Sequence, residues 1–342
     1  MQSQSRSPLL SAIVLNFNGG AMVGDCLQSV ADQDISSVET IVVDNASTDD
    51  SAGAISTRFP GFRMLRLESN KGYTGGMNAG IRAARGVFVA LLNFDVTLDR
   101  DYLRICAEAL AADPGLGGVT GKLLRPGPSD PPVIDTAGHV VYRNRRAVDR
   151  GEAEPDRGQY DEATEVFGVC GAAPVYRKEM LDDVAVDGQV FDDDFFAYFE
   201  DFDLAWRARL RGWRFACAPE ATGRHHRGGS GGKASTFILA CNHRNRLLVM
   251  LRNDLPRSFL RHLPGIAYTE LRASLHMLTL RPAALVRAWA DLLRLVPRQL
   301  AKRRVIQGKR TAGREEVEQW FEPYHYGIRA TVARARQRAA LR

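Results

Sequence analysis

Three carboxylates interrupt an aromatic run in the segment Phe195–Trp213, FFAYFEDFDLAWRARLRGW. They are Glu200, Asp201 and Asp203. Acids beside large aromatic side chains lose part of their hydration, so a fold keeps them there when a cation, a hydroxyl or a structural partner uses them. The apolar spacing predicts a helix that begins at these acids and stops near Gly212, with the dipole favouring ionised carboxylates in its first turn. They could act as a general base, or as an acidic cap paired with Arg207.

A further carboxylate, Asp95, comes directly after the apolar strand sequence VFVALLNF, so it should project from the carboxyl end of that strand. It could simply cap the next segment. A cation that bridges diphosphate oxygens needs a carboxylate in this position, and Mg²⁺ or Mn²⁺ usually keeps one or two of them. His225 and His226 precede a Gly/Ser loop. Histidine pairs in loops are more often solvated or structural, but one imidazole here could complete a mixed nitrogen and oxygen site.

Two polar segments are candidates for binding a nucleotide or a sugar. Asp44 and Asn45 end the second apolar strand, where they form either an Asx turn and helix cap or contacts to a base or ribose. The stretch NKGYTGGMNAG, residues 70–80, combines four glycines with Asn70 and Asn78 just before a predicted helix. Glycines and a helix N-terminus allow a close approach to phosphate or sugar. The pattern is not GxGxxG, which argues against a dinucleotide site.

Alternating elements should position these residues. The apolar patterns predict strands at 9–16, 39–43, 62–67 and 87–92 and helices at 21–32, 75–85 and 99–112. This alternation predicts βαβ units and a mainly parallel sheet, so the polar strand ends at 16–18, 44–45 and 93–95 should meet in one crevice. Residues 125–160 are predicted to form an excursion over it. The small residues of 166–176 indicate close backbone approach to a ligand or a strand.

Composition indicates a soluble globular chain. The 342 residues are 45% hydrophobic and 25% charged. Five widely spaced cysteines without a CxxC pattern favour reduced thiols in the cytoplasm over a disulfide framework or a zinc site. Residues 1–8 are polar and predict a flexible N-terminus without a signal peptide. No apolar run reaches 18 residues, so no membrane-spanning helix is predicted.

Charge is distributed unevenly. Residues 233–342 contain 22 Lys and Arg against 7 Asp and Glu, whereas residues 1–232 carry a net charge of −9. From residue 236 to about 306 the pattern predicts helices, with breaks at Pro256, Pro264, Pro282 and Pro297. A basic amphipathic surface on anionic lipid would explain the charge. The alternative is a set of helices packed on the preceding domain with their arginines in solvent. Nucleic acid is a poorer explanation because aromatic residues are sparse there.

These motifs, in this order, resemble an inverting glycosyltransferase of family 2 with the nucleotide-diphospho-sugar transferase fold called GT-A. The segments that carry the resemblance are AIVLNFN, IVVDNASTD, NKGYTGGMNAGI, VALLNFDV, VFGVCGAAPVYRKEML, FDDDFFAYFEDFDLAWRARLRGW and HHRGGS. They cover roughly residues 11–232, about two thirds of the chain. The subgroup that the chain most resembles contains bacterial rhamnosyltransferases.

The resemblance implies an α/β fold with a mainly parallel mixed sheet flanked by helices, a catalytic domain at 9–232 and a basic helical region at 233–342. It implies that Asp201 is the general base, with Glu200 beside it at the acceptor edge. Asn93-Phe94-Asp95 stands in place of the DxD motif, so the resemblance implies that Asp95 binds Mg²⁺ or Mn²⁺. It implies one histidine as a further ligand, His225 in preference to His226. Asn93 is neutral where the family has an acid, which puts the strength of metal binding in question. The residues expected to contact the donor are Asn16, Asn18, Asp44, Asn45, Asn70, Gly75, Asn78 and Asn93.

The implied reaction transfers a sugar, L-rhamnose from dTDP-rhamnose, to a hydroxyl of a cell-envelope glycan or a polyprenyl-linked acceptor. The expected location is the cytoplasm, at the inner face of the cytoplasmic membrane, with peripheral membrane contact and no nucleic acid. UDP-hexose or galactofuranose transfer is the alternative on the same scaffold. A sugar nucleotidyltransferase should have a basic glycine-rich loop after the first strand, where this chain has NFNGG. A non-catalytic sugar-nucleotide-binding protein would not need both Asp95 and Asp201.

Overall fold

The computed structural model describes residues 8–162, 164–227 and 235–324. The first seven residues, the Gly/Ser loop after the histidines and the last part of the basic tail lie outside the described residues. The strands are β1 (Leu10–Asn16), β2 (Val38–Asp44), β3 (Arg63–Arg66), β4 (Phe88–Asn93), β5 (Val96–Leu98), β6 (Leu116–Leu124), β7 (Ile134–Thr136), β8 (His139–Tyr142), β9 (Ala147–Asp149), β10 (Glu165–Val166), β11 (Val175–Arg177), β12 (Arg214–His225) and β13 (Phe321–Glu322). The helices are α1 (Met22–Ala31), α2 (Ser51–Arg58), α3 (Gly72–Ala83), α4 (Tyr102–Ala112), α5 (Lys178–Val184), α6 (Glu200–Leu210), α7 (Thr236–Asn253), α8 (Pro256–Leu280), α9 (Pro282–Gly308) and α10 (Arg314–Glu318).

A mixed sheet forms the centre of the molecule, in the order β10-β12-β6-β11-β4-β1-β2-β3. Its longest pairings are parallel: β1 with β2, β1 with β4, and β12 with β6. The strand β11 joins β4 to β6 in antiparallel fashion. The predicted α/β fold, with a sheet flanked by helices and followed by a helical region, is therefore confirmed.

The strand register brings the polar strand ends together, as predicted. Asn16 lies opposite Asp44 in the β1–β2 pairing, and Leu15 lies opposite Asn93 in the β1–β4 pairing. The residues of β1, the second half of β2 and nearly all of β4 are buried up to this point, and most of them are apolar. The polar residues that follow therefore share one edge.

The glycine-rich stretch differs from its prediction, because helix α3 begins at Gly72 and the glycines lie inside it. A β-carbon on Gly76 would collide with Leu15, and one on Gly80 would collide with Ile13. These two glycines therefore let the helix approach the sheet closely. Gly72 has a φ of +70°, and a β-carbon there would collide with the carbonyl oxygen of Phe196. These glycines do allow a close approach to the backbone, as predicted. The groups that approach them in the structure belong to the protein itself.

The segment between β6 and β11 forms a small second layer. Its strands β8 and β9 pair in antiparallel fashion, with His139 opposite Asp149, and β13 from the C-terminal region joins β8. The short strand β7 pairs with β6 of the main sheet. This segment is the predicted excursion, and it delivers several charged side chains to the site described below.

The C-terminal helices are longer than predicted. Breaks occur before Pro256 and Pro282, which stand at the first position of α8 and α9, where proline is well tolerated. Pro264 and Pro297 lie inside these helices, so the two breaks predicted there are wrong. Among the residues that the structure describes, no helix has both the length and the apolarity required to cross a bilayer.

Many basic residues of this region pair with acids of the preceding body. Arg252 is 1% exposed and pairs with Asp192 and Asp203, and Lys302 pairs with Asp192 at 2.6 Å. Arg298 pairs with Asp194 at 3.0 Å. The expectation that packed helices would keep their arginines in solvent is therefore wrong for Arg252. Part of the charge asymmetry is neutralised within the protein, and the division at residue 232 stays a prediction.

Candidate active site

The expected donor residues at the ends of β1 and β2 hold one another in place. The Asn16 amide is buried and donates to Asp44 Oδ1 at 3.1 Å and to Ser51 Oγ at 2.9 Å. Asn45 donates from Nδ2 to Asn70 Oδ1 at 3.0 Å, and its Oδ1 accepts from a backbone N–H at the start of α3. These bonds fix the shape of the crevice edge. Contact of these side chains with a donor stays a prediction.

The remaining expected donor residues are distributed around this edge. Asn18 has a φ of 53°, and its Oδ1 accepts from the backbone N–H of Thr48 at 2.7 Å. Asn78 faces the other way, donating to Phe191 O at 2.7 Å and accepting from Phe191 N at 3.0 Å. Gly75 lies within α3, and Asn93 ends β4. The structure thus brings Asn18 to the strand ends, while both amide atoms of Asn78 are engaged in tying α3 to the loop before α6.

Asp95 and His225 lie side by side because β5 pairs with the end of β12. His225 is opposite Val96 in this pairing, and its Nε2 is 3.5 Å from Asp95 Oδ1. His226 is exposed and donates its backbone N–H to Asp95 O at 2.9 Å. Of the two histidines, His225 is the one whose imidazole faces Asp95.

Asp135 supports His225 from behind, and the sequence patterns did not single it out. It is fully buried on β7 and its Oδ2 lies 2.8 Å from His225 Nδ1. Burial opposes the charged imidazole, but hydrogen bonds to Asp135 and Asp95 outweigh it and raise the pKa of His225 to about 9. A carboxylate on the second ring nitrogen is the usual support of a metal-binding histidine.

Asp201 lies in the first turn of α6 with three hydrogen-bonding or charged neighbours. Its Oδ2 accepts from the backbone N–H of Gly171 at 2.9 Å and lies 3.4 Å from His139 Nε2, while Oδ1 accepts from the N–H of Phe202 at 2.7 Å. Burial works against the ionised form, yet His139 and these N–H groups lower the pKa of Asp201 below its ordinary value. A β-carbon on Gly171 would lie 3.1 Å from Asp201 Oδ2, so glycine leaves room for this approach.

Glu200 and Asp203 have different environments from Asp201. Burial, and then the charge of Asp201, raises the pKa of Glu200 to about 8. Its Oε2 is buried and has no hydrogen-bond partner within the described part of the chain. Asp203 is 1% exposed and pairs with Arg207 at 2.8 Å, as an acid with a structural role would. Asp201 is thus the ionised acid and is 19% exposed, and Glu200 is its protonated neighbour at neutral pH.

A continuous series of charged neighbours joins Asp201 to Asp95. His139 Nε2 is 3.9 Å from Asp149 Oδ1, and Asp149 pairs with Arg227 at 2.8 Å. Arg227 in turn pairs with Asp135, which holds His225. We call this series the charge network, and in order it contains Asp201, His139, Asp149, Arg227, Asp135, His225 and Asp95.

A group of three potential metal ligands lies within the same network. The ligand atoms of His139, Asp149 and Cys170 all lie within 4.8 Å of one another. A thiol suits Zn²⁺ rather than Mg²⁺ or Mn²⁺, and Arg227 already neutralises Asp149. Asp95 with His225 is therefore the better fit for a cation that also binds diphosphate, since such cations keep few protein ligands.

Helix α7 holds the loop that precedes the three acids, a contact that the sequence patterns did not reveal. Phe196, Tyr198 and Phe199 have φ values of 65°, 72° and 67°, which are costly for large side chains. The Nδ2 atom of Asn245 donates to the carbonyl oxygens of residues 195, 197 and 198, each at 2.9 Å. The C-terminal region thus stabilises the strained approach to Asp201.

Known proteins of similar sequence include two that are named as synthases. The chondroitin synthase of Escherichia coli is 27% identical over 116 residues, which are 33% of this chain and 17% of that protein. The poly-β-1,6-N-acetyl-D-glucosamine synthase of Staphylococcus epidermidis is 23% identical over 214 residues, 62% of this chain and 48% of that protein. The chain therefore matches less than half the length of each of these relatives.

A solved structure of similar fold is TarS 1-349 of S. aureus, with a TM-score of 0.54 and 18% identity over 91% of this chain and 88% of that chain. GalNAc-T7, solved with UDP, GalNAc and Mn²⁺, has a TM-score of 0.55 and 12% identity over 73% of this chain and 48% of that chain. These likenesses confirm the fold. The sequence profile described as glycosyl transferase family 2 matches residues 11–184, just over half of the chain. The chain belongs to glycosyl transferase family 2.

Proposed function

We propose that this protein transfers a sugar from a nucleotide-diphospho-sugar to a hydroxyl group, with inversion at the anomeric carbon. The observation that carries the proposal is the charge network, which connects the ionised acid Asp201 to the pair Asp95 and His225. An inverting transfer needs a base on the acceptor side and positive charge at the leaving diphosphate. The two ends of the network supply candidates for both requirements.

Asp201 takes the proton from the acceptor hydroxyl in this mechanism. The hydroxyl oxygen forms a bond to the anomeric carbon while the bond from that carbon to the diphosphate oxygen breaks, so no covalent intermediate is needed. Asp201 is suited to this role because its hydrogen bonds keep it ionised at neutral pH. Glu200 retains its proton and can orient the acceptor by donating a hydrogen bond.

The residues around Asp95 fit a divalent cation, Mg²⁺ or Mn²⁺. Asp95 offers a carboxylate, His225 an imidazole, and Asp135 the carboxylate that orients the imidazole. A cation held there would neutralise the charge that develops on the leaving diphosphate. The GalNAc-T7 structure contains UDP with Mn²⁺, which supports the same cofactor class here. Asn93 in place of an acid lowers the negative charge of the site, so weak binding of the cation is expected.

The donor we propose is dTDP-L-rhamnose, on the resemblance of the sequence motifs to rhamnosyltransferases. UDP-linked hexoses are the second candidate, because a related TarS structure contains UDP-GlcNAc. A panel of nucleotide sugars, tested for thermal stabilisation with and without Mn²⁺, distinguishes the two. Stabilisation by UDP-GlcNAc alone would contradict the rhamnosyl donor and leave the sugar-transfer proposal intact.

The variant Asp201→Asn tests the proposed base. We expect transfer to be lost, by about 10² to 10⁴ in kcat, while nucleotide-sugar binding remains. The matched control is Asp182→Asn on α5, whose side chain is exposed and pairs with Lys178 at 2.9 Å. Transfer at the wild-type rate in Asp201→Asn would exclude Asp201 as the base.

We also propose that α8 and α9 contact the inner face of the cytoplasmic membrane. A stripe along α8 exposes Leu260, Leu271, Leu275 and Leu278, each at 51% exposure or more. Positions 260, 264, 267, 271, 275 and 278 repeat with helical spacing, and exposed arginines such as Arg261 flank them. Exposed leucines beside arginines are the composition of a helix that lies on anionic lipid.

Vesicle binding tests the membrane contact. The double variant Leu271→Gln and Leu275→Gln should bind vesicles of phosphatidylglycerol and phosphatidylcholine at least about tenfold more weakly, since each leucine loses apolar burial. Val87→Gln is the matched control, because Val87 is 53% exposed on the sheet body. Equal binding by wild type and double variant would contradict the membrane contact.

A further inference from the structure

A cavity lies beside the acceptor side of the charge network. It has a volume of about 630 Å³ and lies between the β8–β9 hairpin, the start of α6, and helices α7 and α8. We call it the basic pocket. The side chains that give it its character are Arg146, Phe199, Arg246, Tyr268, Arg272 and His276.

The basic pocket has more positive than negative charge. Arg246 pairs with Glu270 at 2.9 Å. Arg146 donates to the hydroxyl of Tyr324 at 2.9 Å and lies over its ring, and Arg272 lies over the ring of Tyr268. Within residues 8–162, 164–227 and 235–324, neither Arg146 nor Arg272 has a carboxylate partner. Guanidinium groups held in this way are suited to a phosphate or diphosphate, which they bind through paired N–H donors.

Two elements connect the basic pocket to the proposed base. Phe199 lines the pocket and stands two residues before Asp201 at the start of α6. Ala147 also lines it and stands two residues before Asp149 on β9, a distance of about 7 Å along a strand. Asp149 adjoins His139, which contacts Asp201. The pocket therefore borders residues that adjoin the proposed base and the charge network along the chain.

The rim of the basic pocket continues into the apolar stripe of α8. Tyr268 lines the pocket and is 47% exposed, and Leu271 and Leu275 follow it along the same face. Cations at one end and exposed leucines at the other match a ligand with a phosphate head and an apolar chain. A neutral glycan would need neither feature.

We propose that the basic pocket binds the phosphate or diphosphate group of the acceptor, whose apolar chain lies along α8 and whose sugar reaches Asp201. The inference rests on the proposed function and deepens it by assigning the acceptor's phosphate group to a defined pocket. The head group contacts Arg146, Arg246 and Arg272, and the aromatic rings of Phe199 and Tyr268 flank the first sugar or the start of the chain. The donor binds separately, at the strand ends.

Binding of defined probes tests the pocket directly. The donor site is first saturated with Mn²⁺ and with dTDP or UDP, whichever of the two stabilises the protein. Farnesyl diphosphate should then bind, and the double variant Arg146→Gln and Arg272→Gln should bind it at least about tenfold more weakly by calorimetry. Arg257→Gln is the matched control, since Arg257 is exposed on α8 and does not line the pocket. Much weaker binding of inorganic diphosphate than of farnesyl diphosphate supports a lipid-linked acceptor. Equal binding of the two supports a soluble phosphorylated acceptor. Equal binding of farnesol, or no effect of the double variant, overturns the proposal.

Kinetics separate this inference from the proposed function. In the double variant, KM for a polyprenyl-diphosphate-linked acceptor should rise at least about tenfold, with slow hydrolysis of the donor and vesicle binding both unchanged. Absence of both donor hydrolysis and transfer to any acceptor in the wild type would contradict sugar transfer itself. An unchanged KM together with weaker vesicle binding would overturn the pocket and assign its arginines to the membrane surface.

Discussion

The substitution Arg252→Met tests whether the C-terminal helices are part of the folded catalytic body. Arg252 on α7 is 1% exposed and pairs with Asp192, in the loop before α6, and with Asp203 within α6. Its guanidinium also lies over the ring of Phe195 at 5.3 Å. Methionine has a similar length and no charge, so the variant leaves two buried carboxylates with fewer partners.

The expected loss follows from those two acids. Burial opposes the charge of Asp192, but Arg252 and Lys302 lower its pKa to about 2. This shift corresponds to about 2 kcal/mol of stability at neutral pH, contributed by all partners of Asp192 together. Asp203 keeps Arg207, and Asp192 keeps Lys302. Removing one partner of a buried ion pair costs about 3–5 kcal/mol. Because other partners remain, we expect about 3 kcal/mol.

Urea unfolding of the full chain measures this loss. Arg257→Met is the control, with an expected change within about 0.5 kcal/mol because Arg257 is exposed. Adding Asp192→Asn to Arg252→Met should recover part of the stability, since it removes one uncompensated charge. A loss below about 1 kcal/mol for Arg252→Met would refute the view that α7 and the catalytic body form one buried polar interface.

Three further predictions concern the site and its supports. Asp135→Asn should weaken Mn²⁺ binding by about 10- to 100-fold in calorimetry, and unchanged affinity would remove Asp135 from the metal site. Gly72→Ala should lower the free energy of unfolding by about 1–3 kcal/mol, because alanine is strained at this positive φ and its β-carbon would collide with Phe196 O. The control is Gly53→Ala in α2, which should cause no loss because a side chain there has open space. Asn245→Asp removes the three hydrogen bonds to the strained loop and should lower kcat while donor affinity is kept, and an unchanged kcat would show that the loop holds its shape without them.

Local patterns in the sequence were sufficient for the central sheet and for its polar edge. Apolar runs that end in Asn or Asp predicted β1, β2 and β4, and parallel pairing then required their ends to meet. The start of α6 at Glu200 could also be predicted from neighbouring residues alone, because a cluster of carboxylates precedes apolar residues at helical spacing. Helix α3 was misplaced because glycine is a poor helix former, and its packing against Leu15 outweighs that propensity.

The supports of the site depend on contacts between distant parts of the chain. Asp135 meets His225 across 90 residues, and Asn245 meets the loop before α6 across nearly 50. Neither residue stands in a pattern that local spacing can detect. The basic surplus of the tail also looked like a surface property, although Arg252 and Lys302 are buried partners of Asp192. The residue types were sufficient to predict which acids could act as a base or bind a metal. Their hydrogen-bond and ion-pair partners became evident only in the folded structure.

The pH dependence of stability tests the assignment of roles to Glu200 and Asp201. The pKa of Glu200 is raised from 4.5 to about 8, by burial first and by the charge of Asp201 second. In the unfolded chain this carboxyl loses its proton near pH 4.5, so between pH 4.5 and pH 8 the folded state binds one more proton. Stability must therefore fall as pH rises through this window, by about 3–5 kcal/mol from Glu200. His225, with a pKa raised to about 9, adds a fall of the same sign above pH 6.5.

Glu200→Gln should remove the larger part of this pH-dependent loss of stability. Between pH 5 and pH 8, the free energy of unfolding of the variant should therefore change less with pH than that of the wild type. Asp201→Asn should keep part of the loss of stability with rising pH, because burial alone still raises the pKa of Glu200. The two variants together establish which acid of the pair holds the proton. If Glu200→Gln retains the full slope while Asp201→Asn abolishes it, the proton resides on Asp201. Asp201 could then not accept a proton from the acceptor at neutral pH, and Glu200 would be the base.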